Sequence, residues 1–119
     1  MELPLYVRIE PSATSNQYVS TYRKLTLSKL YLVADAAVTK HASNYINMAV
    51  YNGAVKIAER KFDATGSDIA EGTAEALALS GGASLDFDDL GELKIEFTKG
   101  GSGVLAGSLV CVFEPRREV

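Results

Sequence analysis

The sequence predicts an all-β protein, an antiparallel β-sandwich or barrel built from about seven or eight short strands. Apolar and polar residues alternate with a period of two through most of the chain, which is typical of strands with one buried face. Turn signals separate the alternating runs, and a length of 119 residues suits one domain.

The first predicted strand lies near the N-terminus. Its two alternating faces consist of Leu3, Leu5, Val7 and Ile9 on one side and Tyr6, Arg8 and Glu10 on the other. Pro4 has no N–H to donate, so this strand is expected at a sheet edge or begins there. Residues 12–17 form a polar run that predicts a loop. We therefore divide the chain into an N-terminal strand and arm segment, residues 1–17, and a single β-sandwich domain, residues 18–119.

The second run of alternation contains a change of phase. The apolar residues of its two phases are Leu25 and Leu27, then Leu30, Leu32 and Ala34. A strand keeps one face buried only while its phase is constant. We therefore expect a β-bulge or a change of partner near Ser28 and Lys29.

Asn52-Gly53 predicts a β-hairpin. The alternating apolar residues around it are Ile46, Met48 and Val50 before the turn, and Val55 and Ile57 after it. Asn-Gly supplies the positive φ angles of a type I′ turn, whose twist matches that of the two strands.

The segment 62–80 carries conflicting signals. Ser67 followed by Glu71 resembles the start of a helix, but the glycines of this segment weaken a helix. We favour a loop with one helical turn, followed by a short strand at residues 74–79 in which Leu77 and Leu79 point inward.

Regular alternation returns in the last third of the chain. The inward-facing sets are Leu93, Ile95 and Phe97, then Leu109, Cys111 and Phe113. The glycine-rich segment 100–103 predicts a turn between them. Val110 and Val112 occupy the opposite face of the last strand, so we expect that strand to be covered on both sides.

Charge and composition disfavour several classes of function. The chain has 12 basic and 15 acidic residues, a net charge of −3, whereas nucleic-acid binding usually needs a basic excess. One cysteine allows no internal disulfide, and one histidine allows no histidine-rich metal site. No apolar run is long enough to span a membrane and no targeting segment is visible, so we expect a soluble protein made inside the cell.

The candidate catalytic side chains have no partners in the sequence pattern. Cys111 lies in an apolar strand, which favours a small buried side chain over a nucleophile. His41 lies in a polar stretch and is predicted as a solvated loop residue, because no pattern pairs it with a nucleophile. The glycines of residues 100–103 lack the lysine of a phosphate-binding loop. We therefore expect no enzyme activity and no cofactor.

The acidic residues Asp86, Asp88, Asp89 and Glu92 are the best candidates for a metal site. Closely spaced carboxylates can bind calcium, but the spacing of an EF-hand is absent. We favour a solvated acidic turn without a metal, and keep a calcium site as the alternative. Glycoside hydrolysis is disfavoured, because a short chain without tryptophan is poorly suited to form a deep sugar cleft.

Aromatic residues are the best candidates for contacts with a partner. The chain has six tyrosines and no tryptophan, and tyrosine is enriched at protein interfaces. Tyr31 interrupts the phase of its leucine neighbours, so it should point away from the core or into an oligomer contact. Tyr45 and Tyr51 are further candidates. For all five of these tyrosines, Tyr18, Tyr22, Tyr31, Tyr45 and Tyr51, the alternative of ordinary half-buried strand aromatics is slightly favoured. The candidate partner contacts are Leu3, Leu5, Tyr6, Tyr18, Tyr22 and Tyr31.

Several segments resemble small virion proteins of tailed bacteriophages. The segments that carry the resemblance are LYLVADAAVT at 30–39, Asn44-Tyr45, VYNG at 50–53, Gly72-Thr73, ALAL at 76–79 and TKGGSGV at 98–104. In such proteins a loop of the form A-D-A-x-V-x-x-x-x-x-N-Y precedes the hairpin strand, and a lysine-glycine-serine-glycine turn precedes the last strand. The resemblance covers roughly residues 25–113, and its motifs are structural turns rather than catalytic residues.

The resemblance implies a jelly-roll β-sandwich similar to the small decoration, or cement, proteins that bind the outside of phage heads. Such proteins use no cofactor and bridge subunits of the major capsid protein, usually as homo-dimers or homo-trimers. The resemblance therefore implies a structural protein that lies on the outer capsid surface and is made in the cytoplasm of the bacterial host. It implies no nucleic-acid and no membrane partner. Where relatives tend to read Gly-Asp-x-Leu, residues 88–93 read DDLGEL, so no role is carried over to those carboxylates.

Two further hypotheses concern partners. The N-terminal segment 1–17 is a candidate arm that docks on the capsid or on a neighbouring copy, because extended segments can add to the edge of another sheet. The alternative function is a receptor- or carbohydrate-binding jelly-roll domain of a phage tail or head fibre, with exposed tyrosines as sugar platforms. The absence of tryptophan and of a coiled-coil stalk favours the capsid function.

Overall fold

The structure is a computed structural model that describes residues 5–9, 16–21, 23–88, 91–103 and 107–115. The described strands are β1 (Leu5–Ile9), β2 (Gln17–Thr21), β3 (Leu25–Ala34), β4 (Tyr45–Asn52), β5 (Val55–Arg60), β6 (Ala74–Ala76), β7 (Asp86–Phe87), β8 (Gly91–Gly100) and β9 (Gly107–Pro115). A short 3-10 helix, Gly82–Leu85, directly precedes β7. Within the described residues, no helix is both long enough and apolar enough to cross a membrane.

The strands form two antiparallel sheets. The first sheet has the order β1-β9-β3-β6, with β7 also paired to β3, and the second has the order β2-β8-β4-β5. The inner faces of both sheets share one hydrophobic core. Its largest fully buried side chains are Phe62, Phe87, Phe113, Leu27, Leu30, Leu32, Met48, Ile57, Leu93, Ile95, Leu109 and Val50. The predicted antiparallel β-sandwich is therefore confirmed.

The described part of the chain contains nine strands, whereas the sequence predicts seven or eight. The described strands that correspond to no alternating run of the sequence are β2, with the sequence QYVST, and β7, which has two residues, whereas β6 lies within the predicted strand at 74–79. A largely polar strand and a two-residue strand show no alternation that a sequence pattern can detect.

The change of phase in β3 is a β-bulge, as predicted. Leu27 pairs with Phe113 of β9, and the next paired residue, Lys29, lies opposite Val112. Ser28 is the extra residue, and its Oγ donates to the carbonyl oxygen of Val112 at 3.0 Å. Because of the bulge, the leucines on both sides of it face the core.

The predicted hairpin is confirmed, but its turn lies one residue later than expected. Asn52 still pairs with Val55, so Gly53 and Ala54 form the two-residue loop. Gly53 has a φ of 62°, which glycine adopts without the steric cost of a side chain. The Asn52 amide donates to the carbonyl oxygen of Asp86 at 3.0 Å, so it ties the hairpin to β7.

The segment 62–80 contains a loop and a short strand, as predicted, but no helical turn, and the strand ends at Ala76 instead of reaching residue 79. Val38 and Ile69 exchange backbone hydrogen bonds of 3.0 and 2.9 Å. The loop is therefore held in place by a residue that is distant in sequence. The 3-10 helix follows this segment instead of lying within it. Leu77 is buried and Leu79 is partly buried against the core, in agreement with their predicted inward orientation.

The described part of the predicted arm belongs to the sandwich of its own chain. β1 pairs with β9 along its whole length, from Leu5 opposite Phe113 to Ile9 opposite Leu109. Gln17 is already part of β2, so the predicted boundary after residue 17 falls within a strand. Residues 1–4 and 10–15 lie outside the described residues. Docking of an arm on another molecule stays a prediction.

Candidate contact surfaces

The outer face of the first sheet has two central rows of side chains that cross its strands. Residues directly opposite each other in an antiparallel sheet share a face. The rows are Tyr6, Val112 and Lys29, and Arg8, Val110, Tyr31 and Ala76. We call these residues the valine–tyrosine face.

The centre of the valine–tyrosine face is apolar. Val110 and Val112 lie on β9, a strand with a neighbour on each side, and Val112 is 6% exposed although it points away from the core. The expectation that β9 is covered on both sides is thus confirmed at Val112, whereas Val110 is half-buried. At the edge, Tyr6 remains 67% exposed. Arg8 Nε donates to Ser108 Oγ at 2.7 Å, which holds the guanidinium group close to the sheet.

The outer face of the second sheet is charged. Its central side chains, which we call the charged face, are Tyr18, Ala49, Tyr51, Lys56, Glu59, Lys94 and Glu96. Lys94 Nζ lies 4.8 Å from the centroid of the Tyr51 ring and 3.6 Å from the Glu96 carboxylate. Lys56 and Glu59 form a hydrogen-bonded ion pair of 2.8 Å. This bond lowers the pKa of Glu59 and raises the pKa of Lys56.

A groove lies beside the valine–tyrosine face. On one side of β3, β7 pairs with residues 25–26 and β6 pairs with residues 31–33, which leaves residues 27–30 between them. The groove has a volume of about 430 Å³ and is open to solvent. Its lining residues are Ser28, Lys29, Leu30, Tyr31, Ala76, Leu77 and Leu79. Three of these residues also belong to the valine–tyrosine face, so the groove extends that surface.

A buried arginine ties the two sheets together at their edges. Arg60 lies on β5, is 7% exposed, and faces Glu75 on β6. Its Nε donates to Glu75 Oε2 at 2.6 Å, and its Nη2 donates to Oε1 at 3.3 Å. The other N–H groups donate at 2.8 to 3.1 Å to the carbonyl oxygens of Lys61, Ser67 and Asp68. All five donors of the guanidinium are therefore used within the fold, which gives Arg60 a structural role that no sequence pattern indicated.

The cysteine and the histidine both have structural surroundings. Cys111 is fully buried, as predicted, and burial raises the pKa of its thiol to about 12. The thiol therefore stays protonated at neutral pH. His41 is exposed, as predicted, and its Nδ1 accepts the backbone N–H groups of Ser43 and Asn44 at 3.0 and 2.8 Å. These bonds shape the turn that leads into β4.

The acidic residues around β7 do not converge on one point. Asp86 and Asp88 are exposed, and Asp86 Oδ1 accepts a hydrogen bond from Thr26 Oγ1 at 2.6 Å. Asp89 lies outside the described residues. Within the part of the chain that is described, no group of three or more histidine, cysteine or acidic residues is placed to hold a metal ion.

The six candidate contact residues do not form one surface. Tyr6 and Tyr31 share the valine–tyrosine face, and Tyr31 is half-buried and points away from the core, as predicted. Tyr18, 55% exposed, lies on the charged face of the other sheet. Leu5, 47% exposed, lies on the inner side of the edge strand β1. The remaining two, Leu3 and Tyr22, lie outside the described residues.

The geometry thus presents one largely apolar and one charged surface on opposite sides of a sandwich. Searches among protein families, curated proteins and solved structures give no match for this chain. A function has therefore to be inferred from the chemistry of the two surfaces and from the sequence resemblance.

Proposed function

We propose that this protein is a structural virion protein that binds the outer capsid surface of a tailed bacteriophage and stabilises the head by bridging subunits of the major capsid protein. The proposal has two supports. One is the resemblance of residues 25–113 to small decoration proteins. The other is the contrast between the two outer faces of the sandwich.

The strand order supports the jelly-roll part of this proposal. β6 and β7 pair with the same side of β3, so they can be counted as one interrupted strand. The sheets then contain the first, eighth, third and sixth strands, and the second, seventh, fourth and fifth strands. We infer from this order a jelly roll, an architecture that occurs in viral capsid domains and in lectins. Because one fold hosts many functions, the choice between them has to come from the surfaces.

The contrast between the outer faces is the observation that carries the proposal. Within the rows that define the two faces, two of seven residues of the valine–tyrosine face are charged, Arg8 and Lys29, compared with four of seven on the charged face. The other charged residues on the outer side of the first sheet, Glu114 and Asp86, lie in a separate row at one end of the sheet. The buried centres of protein interfaces are depleted in charge and enriched in aromatic residues. Val110 and Tyr31 lie on the two inner strands of the sheet, which hold them in fixed positions. We infer that the valine–tyrosine face contacts the capsid and that the charged face contacts solvent.

The net charge supports a position on the outside of the shell. A protein in contact with packaged DNA would be expected to carry a basic excess, because phosphate contacts are made by lysine and arginine. This chain carries a net charge of −3.

Co-sedimentation with capsids that lack this protein tests the proposal. The full chain should bind, and Val110→Lys, which places a charge at the centre of the valine–tyrosine face, should weaken binding at least about tenfold. Ala49→Lys is the matched control, because Ala49 is a half-buried residue on β4, an inner strand of the other sheet. This variant should bind as the wild type does. Absence of binding by the wild type, or equal binding by both variants, would contradict the proposal.

These substitutions separate loss of binding from damage to the fold better than a deletion of the N-terminal segment does. Removing residues 1–15 would also remove β1, which covers one side of β9 in the same chain. Capsid occupancy would then fall through damage to the fold as well as through loss of an arm.

A second candidate, the receptor- or carbohydrate-binding domain of a phage fibre, is favoured by one observation. Tyr18 and Tyr51 flank Lys94 in one row of the charged face, where aromatic rings beside polar groups would suit a sugar. Glycan-array binding that Tyr51→Ala abolishes would support this candidate. A negative array combined with tight capsid binding would reject it.

A further inference from the structure

The outer edges of the two sheets differ in how they are protected from pairing with another chain. Proteins usually protect an edge strand with charges, with a bulge or by keeping it very short. β5 carries the charged residues Lys56 and Glu59 and a register shift at Ile57. β6 has three residues and is tied down by Arg60 through Glu75. β2, with the sequence QYVST, has no charge and no register shift, but three of its five residues are the polar Gln17, Ser20 and Thr21.

Within the described residues, β1 is the most apolar of the four edge strands. Its sequence is LYVRI, with one charged residue, Arg8, and it pairs with β9 over five residues without a register shift. Leu5 and Tyr6, at its start, are exposed by 47% and 67%. A regular, exposed and apolar edge of this kind favours the addition of another strand.

We propose that two copies of this chain pair through β1 about a two-fold axis at Val7, which joins their first sheets into one continuous antiparallel sheet. Leu5 then lies opposite Ile9 of the second copy, and Tyr6 lies opposite Arg8 of the second copy. Because the contact is symmetric, each of these pairs occurs twice. The inference depends on β1 alone and does not require that the protein binds a capsid.

The side chains of β1 select this register. Residues directly opposite each other share a face, so a symmetric pairing has to be centred on a residue rather than between two residues. A pairing centred on Arg8 would place two like charges opposite each other, which destabilises a sheet. A pairing centred on Tyr6 would use three of the five residues of β1. The pairing centred on Val7 uses all five.

The chosen register also matches apolar with apolar and cation with ring. On the inner side, Leu5 of each copy meets Ile9, so the exposed leucine becomes covered. On the outer side, Arg8 of each copy lies opposite Tyr6. The Arg8 guanidinium, whose Nε donates to Ser108 Oγ on β9 at 2.7 Å in the single chain, has to turn from Ser108 towards the second copy to make a cation–π contact with that ring. The two valine–tyrosine faces then lie side by side on one surface.

Sedimentation velocity of the full chain over a range of concentrations tests the proposal. The wild type should form a dimer that dissociates on dilution. Tyr6→Lys places a second cation opposite Arg8 in both symmetric pairs and should weaken the dimer at least about tenfold. Tyr6→Glu places a carboxylate there and should leave the dimer at least as stable as the wild type. In the register centred on Tyr6, by contrast, residue 6 of one copy would lie opposite residue 6 of the other. Either substitution would then place two like charges opposite each other, and both variants would weaken the dimer.

Tyr18→Lys and Tyr18→Glu are the matched controls, because Tyr18 is an exposed tyrosine on β2, an edge strand of the other sheet. Both should dimerise as the wild type does. A wild type that stays monomeric at about 1 mM, or that forms a trimer, overturns the proposal. Equal weakening by Tyr6→Lys and Tyr6→Glu also overturns it. None of these results depends on capsid binding, so the capsid proposal has its own separate test.

Discussion

Glu75→Ala tests whether the buried arginine holds the two edges of the sandwich together. The substitution removes the carboxylate that accepts hydrogen bonds from Arg60 Nε and Nη2. The Arg60 side chain is 8% exposed, so its charge stays in the protein without its counter-ion. Removing one partner of a buried ion pair costs more than the pair itself contributes, because the remaining charge is uncompensated.

The expected loss follows from the two hydrogen bonds. A hydrogen bond to a charged group contributes about 1.5–3 kcal/mol, and two such bonds are lost. The Glu75 side chain is 35% exposed, so water is able to replace part of the lost interaction. We therefore expect the free energy of unfolding to fall by about 2–3 kcal/mol, below the full sum of two bonds. Glu75→Gln keeps one acceptor oxygen and should lose less.

Urea unfolding followed by circular dichroism measures this change. With a urea m-value of about 2 kcal/mol/M, the midpoint should fall by about 1 M at an unchanged m-value. Glu59→Ala is the control, since it breaks an exposed ion pair with Lys56 and should leave the midpoint close to that of the wild type. A Glu75→Ala midpoint equal to that of the wild type would refute the structural role of Arg60.

Three further predictions concern single positions. Cys111 should react with a thiol reagent only on unfolding, because its thiol is buried and its pKa is raised to about 12; rapid labelling of the folded protein would contradict its burial. The pKa of the Asp63 carboxyl is lowered, first by the hydrogen bond from Thr65. The charged carboxylate therefore stabilises the fold above its ordinary pKa of 3.8, and this stabilisation is lost as the pH falls through the lower pKa of the folded protein. Asp63→Asn should reduce the drop of the urea midpoint that acid causes. An unchanged drop would count against this interaction. Gly103→Ala places a methyl group against the backbone of Tyr45 and should cost about 1–3 kcal/mol in urea unfolding; full stability would show that the loop has room for it.

The strands with long alternating runs were predictable from the sequence. In β3 and β8 the buried residues follow the period of two, and the phase change in β3 indicated its bulge at Ser28. In β9 the inward set is buried as predicted, and Ser108 and Val112 on the outer side are buried as well. These features depend on neighbours in sequence, so a local pattern contains them. The outward orientation of Tyr31 follows from the same argument.

Features that depend on distant partners were not predictable. The Asn52-Gly53 pattern located the hairpin, but the bond from Asn52 to Asp86 joins residues far apart in sequence. The burial of Arg60 depends on acceptors in a loop and on another sheet. No sequence pattern indicated a strand around Tyr18 or showed that Tyr6 and Tyr18 lie on different sheets, so the two candidate surfaces required the structure.

A reconstruction of the phage particle that carries this protein tests the proposed function most directly. The proposal predicts density for the sandwich on the outer surface of the capsid lattice, bridging neighbouring major capsid subunits, with the valine–tyrosine face towards the shell. Density on the tail or on a fibre, or a capsid contact made through the charged face, would contradict it.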